Sequence, residues 1–154
     1  MKTNDKTTHL EIMDHLRKEI NNGTICPCCQ QTVKMYRFKL TGKLASTLIK
    51  FYHANDWVHP INKFKTVNGD YAKLRHWKFI ESDPEENDNP KTKSSGMWRI
   101  TETGKKFVEK KLYQFEKVKL FNNKAWGFEG HRIDIVQALG NKFDYWELMN
   151  DKGK

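Results

Sequence analysis

The stretch from Asn68 to Thr103 constrains the fold more than any other part of the chain. It opens with a segment in which Tyr71, Leu74 and Trp77 recur every three residues, with basic residues between them. Apolar residues at this interval indicate a helix with one buried face. We therefore predict a helix over residues 69–78 with an aromatic inner face and a cationic outer face.

Two short strands are predicted after this helix. Residues 79–81 and 97–101 are rich in β-branched and aromatic residues, and the polar segment 82–95 between them contains two prolines. Thr101 or Thr103 is placed to cap a further helix over 104–111. The pattern is therefore helix, strand, loop, strand and helix.

The segments on either side supply further elements. Leu44, Leu48 and Phe51 form an apolar stripe that predicts a helix over 42–54, with Thr41 as its N-cap. We also predict a strand over 33–39 and an N-terminal helix over 4–22, on which Leu10, Met13, Leu16 and Ile20 form an apolar stripe. Towards the C-terminus, we predict a β-hairpin formed by residues 113–121 and 125–129, a helix over 131–139 and a last helical turn over 145–149.

Two resemblances rest on these residues. The run Leu-Arg-His-Trp-Lys-Phe-Ile-Glu at 74–81, followed by Trp-Arg-Ile-Thr-Glu-Thr-Gly at 98–104, resembles the winged-helix regulators of the MarR and PadR type. In that pattern a glycine usually stands where this chain has Lys78. The span of roughly 25–149 also resembles small uncharacterised phage and prophage proteins with a Cys-Pro-x-Cys element. This second resemblance implies an origin rather than an activity.

The predicted fold class is α+β, with a winged helix-turn-helix core. We divide the chain into an N-terminal helix and cysteine turn at 1–32, a winged-helix domain at 33–111, and a C-terminal hairpin and helix at 112–154 that packs on the same domain. The N-terminal helix either docks on the core or forms a homodimer.

The charge is unevenly distributed along the chain. The net charge is +9, and it is concentrated in residues 33–80, which carry ten basic and two acidic side chains. Residues 81–90 carry five acidic side chains and no basic one. A basic surface on a folded segment favours nucleic acid as the partner. The acidic segment 81–90 would be repelled by phosphate.

Duplex DNA is therefore the expected ligand. The residues expected in the major groove lie on the predicted helix 69–78 and are Lys73, Arg75, His76 and Lys78. The residues expected to contact phosphates lie before and after it and are Lys43, Lys50, Lys63, Lys65, Lys91, Lys93 and Arg99. A rival interpretation is a protein-interaction module that binds and modulates a host protein or defence complex.

The three cysteines lie together at Cys26, Cys28 and Cys29. The pair Cys26 and Cys29 has the C-x-x-C spacing that lets two thiolates bind one zinc ion, and the missing ligands would be Cys28, a histidine or a second copy of the chain. The alternatives are a redox pair and a turn with ordinary thiols. The clustering does not suit a secreted disulfide framework.

Several classes of protein are not supported by the sequence. The N-terminus lacks the apolar region of a signal peptide, and there is no run of about 18 apolar residues that could span a membrane. We also find no phosphate-binding glycine-rich loop, no G-x-S-x-G and no H-E-x-x-H. We therefore expect a protein that is not an enzyme and that resides in the cytoplasm, which would be the host cytoplasm if the chain is phage-encoded.

Overall fold

The fold is α+β, with short antiparallel strands among helices. The structure is a computed structural model that describes residues 1–65, 67, 69–83, 96–122 and 124–150. The predicted contact residues Lys91 and Lys93 lie outside the described residues, as does most of the predicted loop 82–95.

The two longest described helices are α1 and α2, and the other described helices have nine residues or fewer. They are α1 His9–Glu19, α2 Gly42–Ala54, α3 Pro60–Lys63, the 3₁₀ helix Gly69–Trp77, α4 Glu102–Val108, α5 Ile135–Leu139 and α6 Tyr145–Asn150. The strands are β1 Thr24–Ile25, β2 Thr32–Val33, β3 Tyr36–Lys39, β4 Ile80–Ser82, β5 Trp98–Ile100, β6 Gln114–Phe121 and β7 Lys124–Ile133.

The described strands form three small sheets. Strand β1 pairs with β2, strand β4 pairs with β5, and β6 lies between β3 and β7. In the second sheet, Ile80 lies opposite Ile100 and Ser82 lies opposite Trp98 in antiparallel register. Trp98 also forms an isolated antiparallel bridge with Val58. Strand β5 is therefore paired on both of its edges.

The chain divides into two compact units. One consists of residues 1–38 and 117–129, and the other consists of residues 39–116 and 130–154. Neither unit coincides with one of the three segments expected from the sequence, because the predicted C-terminal piece contributes residues to both. We call them the small unit and the large unit.

The core of the large unit is centred on α2. Leu48, Phe51 and Leu74 are completely buried, as are Phe79 and Phe107. The prediction for α2 is confirmed at both ends, because the Thr41 hydroxyl accepts a hydrogen bond from the Leu44 amide 3.3 Å away. Asn55 ends the helix in the left-handed conformation. Burial of this apolar face is the main stabilising contribution in the unit.

The small unit buries much less. Among its described residues, only Cys26, Val118 and Leu120 are buried. The predicted stripe on α1 does not form a core, because no residue of the helix is buried and Leu10 is 76% exposed. The helix is also shorter than predicted and begins after the Thr8 cap.

The predicted helix 69–78 is a 3₁₀ helix over 69–77 rather than an α-helix. The spacing of its apolar residues is compatible with this geometry. A 3₁₀ helix has three residues per turn, so Tyr71, Leu74 and Trp77 lie directly above one another. An α-helix with 3.6 residues per turn would spread the same three side chains over a wider arc.

Three other boundaries differ from the predictions. Strand β7 continues to Ile133, so the predicted helix 131–139 begins only at Ile135, where Asp134 forms a capping box with Gln137. The predicted strand 33–39 is divided between β2 and β3, and α4 begins two residues earlier than predicted, after the Thr101 cap. The predicted hairpin is present as β6 and β7.

No helix in the described ranges combines the length and the hydrophobicity needed to cross a bilayer.

Candidate nucleic-acid interface

The 3₁₀ helix is anchored to the core by aromatic side chains. The buried Trp77 indole N–H donates a hydrogen bond to the Phe115 carbonyl, with 2.9 Å between nitrogen and oxygen. The Tyr71 ring packs edge-on against Trp98, with 5.9 Å between the ring centroids. These contacts fix one face of the helix, so the orientation of the opposite face is set by the core.

The basic side chains of this segment differ in exposure. Arg75 and Lys78 are exposed, whereas Lys73 is half-buried. The 3₁₀ helix ends at Trp77, so among the predicted groove residues within it Arg75 is the exposed one. A guanidinium group can bind two acceptors on one guanine edge, which suits it to this role.

His76 does not point away from the core as we expected from the sequence. Its side chain is half-buried, and its Nε2 atom is buried without a hydrogen-bond partner. Burial is the main reason that the pKa of His76 lies below its ordinary value of 6.5, and the positive charges of Arg75 and Lys73 lower this pKa further. The environment of His76 therefore disfavours the charged form of the imidazole.

Lys78 ends the 3₁₀ helix in a left-handed conformation, with φ = 63°. Residues with a side chain rarely adopt this conformation, and glycine adopts it freely. The carbonyl of Lys78 accepts a hydrogen bond from the Thr101 hydroxyl, which holds the turn in place. Position 78 is thus one where glycine would be favoured.

Arg99 is paired with an acid. Its Nε lies 2.7 Å from the Glu81 carboxylate, and its guanidinium carbon lies 4.4 Å from the centroid of the Trp57 ring. Both members of the ion pair are about half exposed. The positive charge that the sequence assigns to phosphate contact is therefore already opposed by a neighbouring carboxylate.

A cavity of about 380 Å³ lies at the start of α2. Three lysines line it: Lys43, Lys50 and Lys142. Ser46 and Thr47 also line it, but both hydroxyls donate to the Lys43 carbonyl, at 2.8 and 2.9 Å. The cavity is therefore cationic, and its size suits a phosphate group and part of a nucleotide.

The start of α2 approaches the end of α5 closely at Gly42. A Cβ atom on Gly42 would lie 2.6 Å from the Leu139 carbonyl oxygen, so only glycine fits. This approach brings Lys142, which follows α5, to the same cavity as Lys43. The sequence analysis missed Lys142, because nothing in the spacing of two residues so far apart in the chain shows that they meet.

The remaining predicted residues are more scattered. Lys63 at the end of α3 lines a second cavity of about 590 Å³ together with Trp57 and His59. Lys65 is exposed just after α3. The structure therefore places Lys43 and Lys50 in one cavity and Lys63 in another.

The cysteines lie in the small unit. Cys26 is buried, Cys28 and Cys29 are exposed, and all three are free thiols. Among the described residues, no group of three or more histidines, cysteines or acids is arranged to hold a metal ion.

Comparisons with protein-family models, with curated proteins and with solved structures each found no match to this chain.

Proposed function

We propose that the large unit is a winged-helix module that binds duplex DNA, as a regulator or a DNA-associated accessory factor of phage or prophage origin. The observation that carries the proposal is the pairing of Trp98 with Val58 on one side and Ser82 on the other. Along the chain, α2 is followed by the bridge residue Val58, α3, the 3₁₀ helix, β4 and β5. A winged helix has its elements in this order.

The distribution of charge supports the same proposal. Arg75 and Lys73 lie on the helix that a winged helix inserts into the major groove, where a basic side chain can bind guanine. The cavity lined by Lys43, Lys50 and Lys142 offers a site for backbone phosphate. In this proposal, the helix selects the base sequence, and the cavity contributes affinity that does not depend on sequence.

The experiment is a titration of a labelled duplex, followed by fluorescence anisotropy at several salt concentrations. The double variant Lys73→Gln/Arg75→Gln is expected to bind at least about tenfold more weakly. The variant is also expected to discriminate less between duplexes of different sequence, because these two residues are proposed to contact bases. The matched control is Arg17→Gln/Lys18→Gln, which removes the same charge from the exposed end of α1.

The control should bind with an affinity close to that of the unchanged chain. Circular dichroism should show that both variants remain folded. The proposal fails if the unchanged protein does not bind duplex DNA at low salt, or if both double variants weaken binding equally.

A second candidate function is the binding of a host protein. It is favoured by an exposed apolar surface on the last two helices, where Val136 is 42% exposed and Trp146 is 64% exposed. Exposed tryptophan is frequent at the energetic centre of protein interfaces. In nuclease-treated host lysate, Trp146→Ala should lose a partner that Tyr113→Ala retains, since Tyr113 is also an exposed aromatic residue, at 54%.

A further inference from the structure

The three cysteines lie in a tight hairpin turn of the small unit. Strands β1 and β2 pair through Thr24 with Val33 and through Ile25 with Thr32. The Cys26 amide donates to the Gln31 carbonyl at 2.8 Å, and the Gln30 amide donates to the Cys26 carbonyl at 2.9 Å. Cys26 and Cys29 therefore lie in the same short turn between β1 and β2.

The backbone of this turn is arranged around the Cys26 sulfur. The amides of Cys29 and Cys28 donate hydrogen bonds to that sulfur. Amides that donate to sulfur stabilise a thiolate once it binds a metal, because they offset its negative charge. Gln30 completes the turn in the left-handed conformation, with φ = 64°.

The small unit has little else to stabilise this hairpin. Strands β1 and β2 contain two residues each, and a single short hairpin is at best marginally stable in water. The unit buries only Cys26, Val118 and Leu120 among its described residues. Small units with so little core usually require a metal, a disulfide or association with another chain.

The number of ligands points to a second chain. Zinc in structural sites has four ligands, and Cys26 and Cys29 supply two. No third ligand joins them in the part of the chain that the structure describes. A two-fold axis through the metal would supply the same pair again and complete a site of four thiolates.

The exposed apolar side chains of the small unit favour association with an identical chain. Leu10 is 76% exposed, Ile25 is 58% exposed and Trp126 is 60% exposed. Ile25 is next to Cys26, so a copy seated at the metal would also approach this side chain. Burial of such surface would add to the stability of the assembly.

We propose that Cys26 and Cys29 of two copies of this chain together bind one zinc ion. The metal links the two hairpins and stabilises the small unit, whose core is small. Cys28 is not assigned as a ligand, because it is Cys29 that has the C-x-x-C spacing to Cys26. This inference is independent of DNA binding.

The experiment uses the full chain, stripped of metal and kept reduced. Addition of Co²⁺ should produce the absorption bands of thiolate-bound tetrahedral cobalt, which saturate at one metal per two chains. Addition of Zn²⁺ should displace the cobalt, and either metal should double the mass of the metal-free chain, as measured by light scattering during size-exclusion chromatography.

Variants then assign the ligands. Cys26→Ser and Cys29→Ser should each abolish the thiolate bands and the doubling of mass, whereas Cys28→Ser should retain both. Saturation at one metal per chain without a change in mass would overturn the proposal, as would the absence of thiolate bands. Both outcomes are read on the unchanged chain, so the test does not depend on whether a variant folds.

Discussion

The indole N–H of Trp77 donates a hydrogen bond to the carbonyl oxygen of Phe115, with 2.9 Å between the two atoms. Trp77 is 1% exposed, so this bond satisfies a polar group that water cannot reach. It also fixes the end of the 3₁₀ helix to the start of β6. The position of the proposed groove-binding side chains therefore depends on one buried ring.

Trp77→Phe is expected to lower the free energy of unfolding by about 2 kcal/mol. The smaller ring leaves a cavity, and the Phe115 carbonyl loses its buried partner. Urea denaturation measures the difference. Trp146→Phe is the control, because its side chain is exposed and the change should stay within about 0.5 kcal/mol. Equal losses in the two variants would contradict the buried role of Trp77.

Lys78→Gly is expected to raise the free energy of unfolding by up to about 1 kcal/mol. Glycine removes the strain of a positive φ, and this gain exceeds the extra freedom of the unfolded chain. Lys106→Gly provides the comparison, since Lys106 lies inside α4 and glycine there should cost about 1 kcal/mol. Thermal or urea unfolding gives both values, and a loss of stability in both variants would show that the turn is not strained.

Stability is expected to fall as the pH is lowered below about 6.5 because of His76. The pKa of His76 is lowered in the folded protein, so in this range the unfolded chain binds the proton more readily. Each step down in pH then favours unfolding until the folded state is protonated as well. The quantity to measure is the free energy of unfolding at a series of pH values.

The variant His76→Gln should lose stability less steeply over that range. His131→Gln is the control, because His131 is exposed. If the two variants and the unchanged chain show parallel pH profiles, His76 does not contribute to the dependence.

Glu81→Gln is expected to increase the affinity for duplex DNA by a few fold. The substitution removes the carboxylate that opposes Arg99, and a released cation can add about 0.9 to the salt slope by neutralising one phosphate. Glu129→Gln is matched to it, because Glu129 forms the same kind of pair with Arg37 at 2.6 Å in the small unit. Anisotropy titrations should separate the two, and an equal gain in both would reflect net charge alone.

The sequence predicted the elements of the large unit better than their detailed geometry. Helix α2 was predicted to the residue because Thr41, the stripe from Leu44 to Phe51 and the Asn55 stop all agree. The helix at 69–77 was assigned the wrong type, because apolar residues three apart fit both an α-helix and a 3₁₀ helix over two turns. On α1, the pattern revealed an apolar face but could not show whether another part of the protein covers Leu10.

The candidate site was predictable only in part. The charge map identified the segment that contains Lys73, Arg75 and Lys43, because local charge density can be read directly from the residues. It could not show that Glu81 is paired with Arg99 or that Lys142 lines a cavity with Lys43. Both depend on contacts between residues distant in the chain, which charge density along the sequence does not encode.

Trp98 has a further consequence for how this surface would respond to a ligand. Its backbone is paired with Val58 and Ser82, and its ring touches Tyr71 on the 3₁₀ helix. A displacement of the helix is therefore expected to reach the ends of β4 and β5 at Ser82 and Trp98. The indole ring stands between the helix and these strand ends, so binding at one and movement at the other are coupled through a single side chain.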